Sequence, residues 1–154
     1  MTTASGTCVV PHSRAEVWRA LAVLEPYCAV CDVSYVVGDA RVGKGTAFVC
    51  APGRLAGGEP PAGAPRGEIL EWAARKVVAT RLSLTTETWI TRIELADADG
   101  GGTRVTMTVG LDTDGGNRLI RRIQRSAAQR MVQQTVDAEL EKIPAHLEQA
   151  AAAG

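Results

Sequence analysis

Apolar and polar side chains alternate one for one from Thr103 to Asp112: Val105, Met107, Val109 and Leu111 fall on one face, Arg104, Thr106 and Thr108 on the other. A period of two predicts a strand with one dry and one wet side. Looser forms of the same period predict further strands at residues 7–10, 33–37, 46–51, 68–72, 77–84 and 86–96. Turns separate them. Gly38 to Gly45 links the second and third, and Asp99-Gly100-Gly101-Gly102 links the last two. The stretch from Pro52 to Gly67 (PGRLAGGEPPAGAPRG) is glycine, proline and alanine, which predicts a loop.

Two segments follow the helical period instead. Ser13-Arg14-Ala15-Glu16 has the form of a capping box, and Val17, Leu21 and Leu24 recur behind it with Trp18 alongside. Pro26 ends that helix, and a second short helical turn is expected through Cys31. After Gly115-Gly116, Ile120, Ile123, Ala127 and Met131 lead into Val132, Val136, Leu140, Ile143 and Leu147. This predicts a long amphipathic helix over about 117–143, which Pro144 kinks or ends. The expected fold class is α+β: seven strands, two short helices after strand 1 and one long C-terminal helix. One domain over 1–154 is expected, with its core at about 7–148.

Composition narrows the partners. The 154 residues are 45% hydrophobic and 22% charged, close to the globular average. Lysine plus arginine and aspartate plus glutamate each total 17, so no basic excess draws the chain to nucleic acid. The opening MTTASGTCVVPHSR has no basic region and no sustained apolar run, so no signal peptide and no stable membrane insertion is expected, and a cytoplasmic location follows. The four cysteines are expected to be free thiols. A monomer and a homodimer are both compatible with the sequence.

Several motifs carry potential chemistry. Residues 38–45 imitate a phosphate-binding loop, but Gly45 stands where a hydroxyl is required and a strand follows instead of a helix. Cys28-Ala29-Val30-Cys31 has zinc or redox spacing without a second pair. It reads as packing residues, with Cys31 a candidate for a cavity border. His12 and His146 have no chemical partner nearby in sequence and read as exposed. Asp112 and Asp114 lack the continuation of a calcium loop. No metal and no cofactor is therefore expected. Arg118, Arg121, Arg122, Arg125 and Arg130 make the first half of the long helix basic. They form either a solvated face or a patch for an anionic ligand group, partner or lipid surface. Glu87 shares strand parity with Trp89, Thr91, Ile93 and Leu95. It is the one candidate for a general base, set against an exposed or ligand-orienting carboxylate.

The order of elements resembles that of the START and polyketide cyclase (SRPBCC) superfamily, which implies a helix-grip fold, a curved seven-stranded antiparallel sheet wrapped around the long C-terminal helix. The likeness is carried by Pro11-His12-Ser13-Arg14-Ala15-Glu16-Val17-Trp18 leading to Leu24, by Val42-Gly43-Lys44-Gly45-Thr46, by Trp89, by Gly101-Gly102-Thr103-Arg104-Val105 and by the final helix. It spans about residues 7 to 148. The sequence departs from that pattern at Cys31, where many relatives have tryptophan, and in its long loop from Pro52 to Pro65. None of the shared motifs is catalytic, so the resemblance implies the fold and leaves activity open.

With one Phe, two Tyr and three Trp to fill the space between sheet and helix, a cavity is expected. Its predicted lining is Phe48, Cys50, Trp72, Leu82, Trp89 and Met107 from the sheet, with Ala127 and Met131 from the helix. The leading reading is binding or transport of a small hydrophobic, lipid-like or polyketide-like ligand. A cyclase or dehydratase using the same cavity and a protein-interaction domain are the alternatives.

Overall fold

The computed structural model describes residues 1–21, 24, 26–38, 41–55, 59–113 and 118–153; the side chains of 118–121 and 153 lie outside that description. The chain forms β1 (Thr2–Val10), α1 (Arg14–Leu21), β2 (Tyr27–Cys28), β3 (Val33–Val37), β4 (Ala47–Pro52), β5 (Arg66–Ala73), β6 (Val77–Ser83), β7 (Glu87–Asp97), β8 (Thr103–Thr113), α2 (Arg118–Glu141) and α3 (Ile143–Ala153). The strands make one eight-stranded antiparallel sheet in the order β1-β8-β7-β6-β5-β4-β3-β2. This is the helix-grip arrangement, with one strand more than the pattern predicts.

The extra strand replaces the second short helix. Tyr27 and Cys28 pair with Ser34 and Val33, and residues 29–32 turn between them. The intervening Ala29-Val30-Cys31-Asp32 is too short to continue a helix past Pro26, and Asp32 takes a left-handed φ of 52° that closes the turn. The predicted β1 is also too short. Its first half, Thr2 to Gly6, pairs with β8 as far as Leu111. The expected helix start at Asn117 and part of the 38–45 turn fall outside the described residues.

Ser13 caps α1 as its spacing indicates: its Oγ accepts the Glu16 amide at 3.3 Å, and its carbonyl accepts that of Val17 at 3.0 Å. Glu16 does not complete the box. Its carboxylate instead meets His12 Nδ1 at 2.8 Å, which holds the acid below its usual range. Val17 and Trp18 are the residues α1 buries.

Pro144 breaks the C-terminal helix. It has no amide to offer the carbonyl of Leu140, so α2 stops at Glu141 and α3 starts at Ile143. The two halves cover different parts of the sheet. Val132 and Val136 of α2 pack with Ala4, Met107, Val109 and Leu111 on β1 and β8. Ile143 and Leu147 of α3 join Val17 and Trp18 of α1 over Phe48, Ile69, Val78, Leu95 and Val105. Gly6 lets α2 approach closely, since a Cβ there would lie 2.8 Å from both Leu140 and Val136. Among the described residues no helix is long and apolar enough to cross a membrane.

Candidate functional site

The register decides which side chains share the concave face under the helices. Leu82 stands opposite Trp89, Thr80 opposite Thr91, and Val78 opposite Ile93; Trp89 and Ile93 in turn face Leu111 and Met107. Across β5 the alternation alone would put Ile69 and Trp72 on opposite faces. A bulge at Leu70 resolves this: Ile69 pairs with Thr80 and Glu71 with Ala79, so Trp72 lies opposite Val78 on the inner side. There its ring meets that of Trp18 edge-on, with centroids 5.0 Å apart. Glu71 is thereby turned to the outer face, where Arg92 bonds it at 3.1 Å and Glu94 at 2.7 Å.

Of the eight residues predicted to line a cavity, six share this inner face. They are not equivalent. Phe48 and Met107, only 5% and 4% exposed, belong to the two separate core clusters. Phe48 lies over Gly67, where any Cβ would overlap its ring, and meets Tyr35 edge-on at 6.0 Å. Cys50, Trp72, Leu82 and Trp89 are half-buried. Leu82 packs against the cluster under α1 and α3, and Trp89 against the cluster under α2. The pair therefore lies on the seam between the two clusters, with Thr80 and Thr91 beside it. Glu87 is half-buried at the start of β7, opposite exposed Thr113.

Ala127 and Met131 correct the expected helix face. Both are exposed, Met131 by 46%, and Ile123 by 73%. The sheet is met by Ala128, Val132, Val136 and Leu140 instead. Successive residues are separated by about 100° around a helix. The row through Ala127 and Met131 is thus about a quarter-turn away from Val132 and Val136, and packing selected the β-branched pair. Arg122, Arg125 and Arg130 are exposed too. Arg125 and Arg130 join Met1, Thr2, Thr3, Ser126 and Gln129 around an open groove of about 620 Å³ between α2 and the start of β1.

A second cluster was not expected from the sequence. Cys28 Sγ lies 3.8 Å from His146 Nδ1, and Cys31 Sγ lies 3.7 Å from His146 Nε2. His146 is half-buried, not exposed: the break at Pro144 starts α3 on a new course, and its first turn brings His146 against the β2–β3 hairpin. Burial lowers the histidine's pKa below 6.5; Glu139 opposes the shift and Lys142 adds to it. Burial likewise pushes the Cys31 thiol up to about 11, helped by Glu139 and Cys28. The Tyr35 phenol sits among Cys50, Cys31, Cys28 and Glu139 and is also raised, first by burial. Pairing the motif with a histidine 115 residues away depends on the tertiary fold and leaves no local signal.

Neither a protein-family model nor a curated protein matches the sequence. Solved structures do match in fold. TTHA0849 from Thermus thermophilus superposes with a TM-score of 0.68 at 19% identity, covering 96% of this chain and 98% of that one. A START superfamily protein from Mycobacterium smegmatis gives 0.67 at 10% identity, covering 97% and 99%. The Zhui aromatase/cyclase from Streptomyces sp. R1128 gives 0.65 at 15% identity, covering 97% and 93%.

Proposed function

From the helix-grip fold shared with a START superfamily protein and an aromatase/cyclase, we propose that this chain binds a small hydrophobic molecule, lipid-like or polyketide-like, on the concave face of its sheet. One observation carries the reading. The Leu82–Trp89 pair is apolar and inward-facing, yet only half-buried, because α2 rests on β1 and β8 while α1 and α3 cover the other cluster. An apolar guest seated along that seam removes further surface from water, at about 25 cal/mol per Å² before ordering costs. Thr80 and Thr91 offer the hydroxyls that orient it. Trp72, half-buried beside Trp18, supports an extension of the seat toward β5.

Native mass spectrometry of the purified chain tests for a retained small molecule, and titration with an apolar fluorescent probe tests the seat. Trp89→Ala is expected to weaken the probe by about tenfold or more, as burial of an aromatic contact predicts. Affinity unchanged from the parent chain in both Trp89→Ala and Leu82→Ala, with the fold retained by circular dichroism, would overturn the assignment.

A further inference from the structure

Cys28, Cys31 and His146 converge from two separate elements, and their ligand atoms all lie within 4.8 Å of one another. We propose that these three side chains bind a divalent soft transition metal, zinc in the first instance, with a fourth position left for water or a small ligand.

The distances already approach those of a tetrahedral site. Zinc–sulfur and zinc–nitrogen bonds of about 2.3 and 2.0–2.1 Å imply sulfur–nitrogen separations of about 3.6 Å and sulfur–sulfur separations of about 3.8 Å. The observed sulfur–nitrogen distances are 3.7 and 3.8 Å. They run to different ring nitrogens, so a rotation of the imidazole that turns one nitrogen toward both sulfurs completes the set.

The backbone holds both halves in place. Cys28 ends β2 and Cys31 sits in the turn before β3, so C-x-x-C occupies the loop of a hairpin. That loop is pinned on one side by Tyr27, whose hydroxyl donates to Asp32 Oδ1 at 2.7 Å, and by Gly53, whose amide donates to the Asp32 carbonyl at 2.7 Å. On the other side the Val30 amide donates to Gln149 Oε1 at 3.3 Å, about one helical turn beyond His146. The loop and the histidine are therefore linked by a contact independent of the ligands themselves. Such outer bonds keep ligands in position before the metal arrives.

Charge balance favours a divalent ion. Two thiolates and a neutral imidazole cancel a charge of +2, so the half-buried site becomes neutral when loaded. Binding breaks two S–H bonds, forms two metal–sulfur bonds and one metal–nitrogen bond, and releases two protons to solvent without any change of oxidation state.

The test uses the full chain, reduced and stripped with a chelator, then titrated with cobalt(II) and afterwards with zinc. The expected result is one equivalent of cobalt, a near-ultraviolet thiolate-to-cobalt charge-transfer band and the strong visible bands of tetrahedral cobalt, all displaced by zinc. Cys28→Ser, Cys31→Ser and His146→Asn should each remove or shift these bands, whereas Cys8→Ser and Cys50→Ser should leave them intact. In the unmutated chain, zinc should slow alkylation of Cys28 and Cys31 by at least about tenfold and leave Cys8 and Cys50 unaffected. This second readout needs no variant to fold. Absence of the charge-transfer band in the reduced chain would overturn the proposal. So would its unaltered survival in Cys31→Ser, or equal alkylation of all four thiols with and without zinc. A purified chain whose only modification is a Cys28–Cys31 disulfide, with no metal taken up after reduction, overturns it as well.

Discussion

Gly67 is buried beneath the Phe48 ring, and a methyl group added there would overlap the ring itself. Phe48 cannot retreat easily, because Tyr35 holds its other side. Gly67→Ala is therefore expected to destabilise the fold by about 1–3 kcal/mol, the usual range for an overpacked core. Urea unfolding checks the value, and Gly63→Ala, where no atom lies within 4 Å, serves as the contrast in an open loop, with strain from its positive φ alone. Individual residues on regular strands were readable from the sequence. The alternation through β7 and β8 gives the same inner set, Trp89, Ile93, Met107 and Val109, that the register does. Cys28, Cys31 and His146 were not readable together, because a ligand supplied from the far end of the chain has no spacing rule.

At the scale of elements, the Leu70 bulge explains how Ile69 and Trp72, three positions apart, come to share a face. Deleting Leu70 leaves them two apart in an unbulged strand, which preserves that sharing. The variant is expected to fold and to keep the near-ultraviolet circular dichroism of the Trp18–Trp72 pair. Deleting Ile90 from β7 offers no such rescue. It reverses the faces of Trp89 or of every inner residue after it, and loss of the cooperative urea transition is expected. The same distinction shows why some elements were legible. Strands and the kink at Pro144 follow from periodicity and from a missing amide. The two-residue β2 has too few residues to show a period, and α2 carries two apolar rows between which only packing against β1 and β8 decides.

For the whole molecule, the half-buried thiols are expected to make stability fall toward alkaline pH. Burial raises Cys8 and Cys50, the two thiols outside the Cys28–Cys31–His146 cluster, above their ordinary 9.0. Tyr35 is raised above its ordinary 10.0 in the same direction. The native chain thus keeps protons that the unfolded chain gives up, so their contribution is full below pH 9 and declines as pH rises through the folded values. Urea midpoints should fall from about pH 8 to about pH 10, and Cys8→Ala should shrink the fall. A pH-independent midpoint across that range would contradict the burial of these groups.

The pairing of β1 with β8 joins residues as far apart as Thr2 and Leu111. Among the described residues β1 has β8 as its one sheet neighbour, so Thr2–Val10 cannot pair until Thr103–Thr113 has been made. Contacts so distant along the chain slow folding relative to local ones, because loop closure comes before the pairing that offsets it. The landing surface for α2, built from β1 and β8, does not exist until that late closure, so α2 can dock only after it.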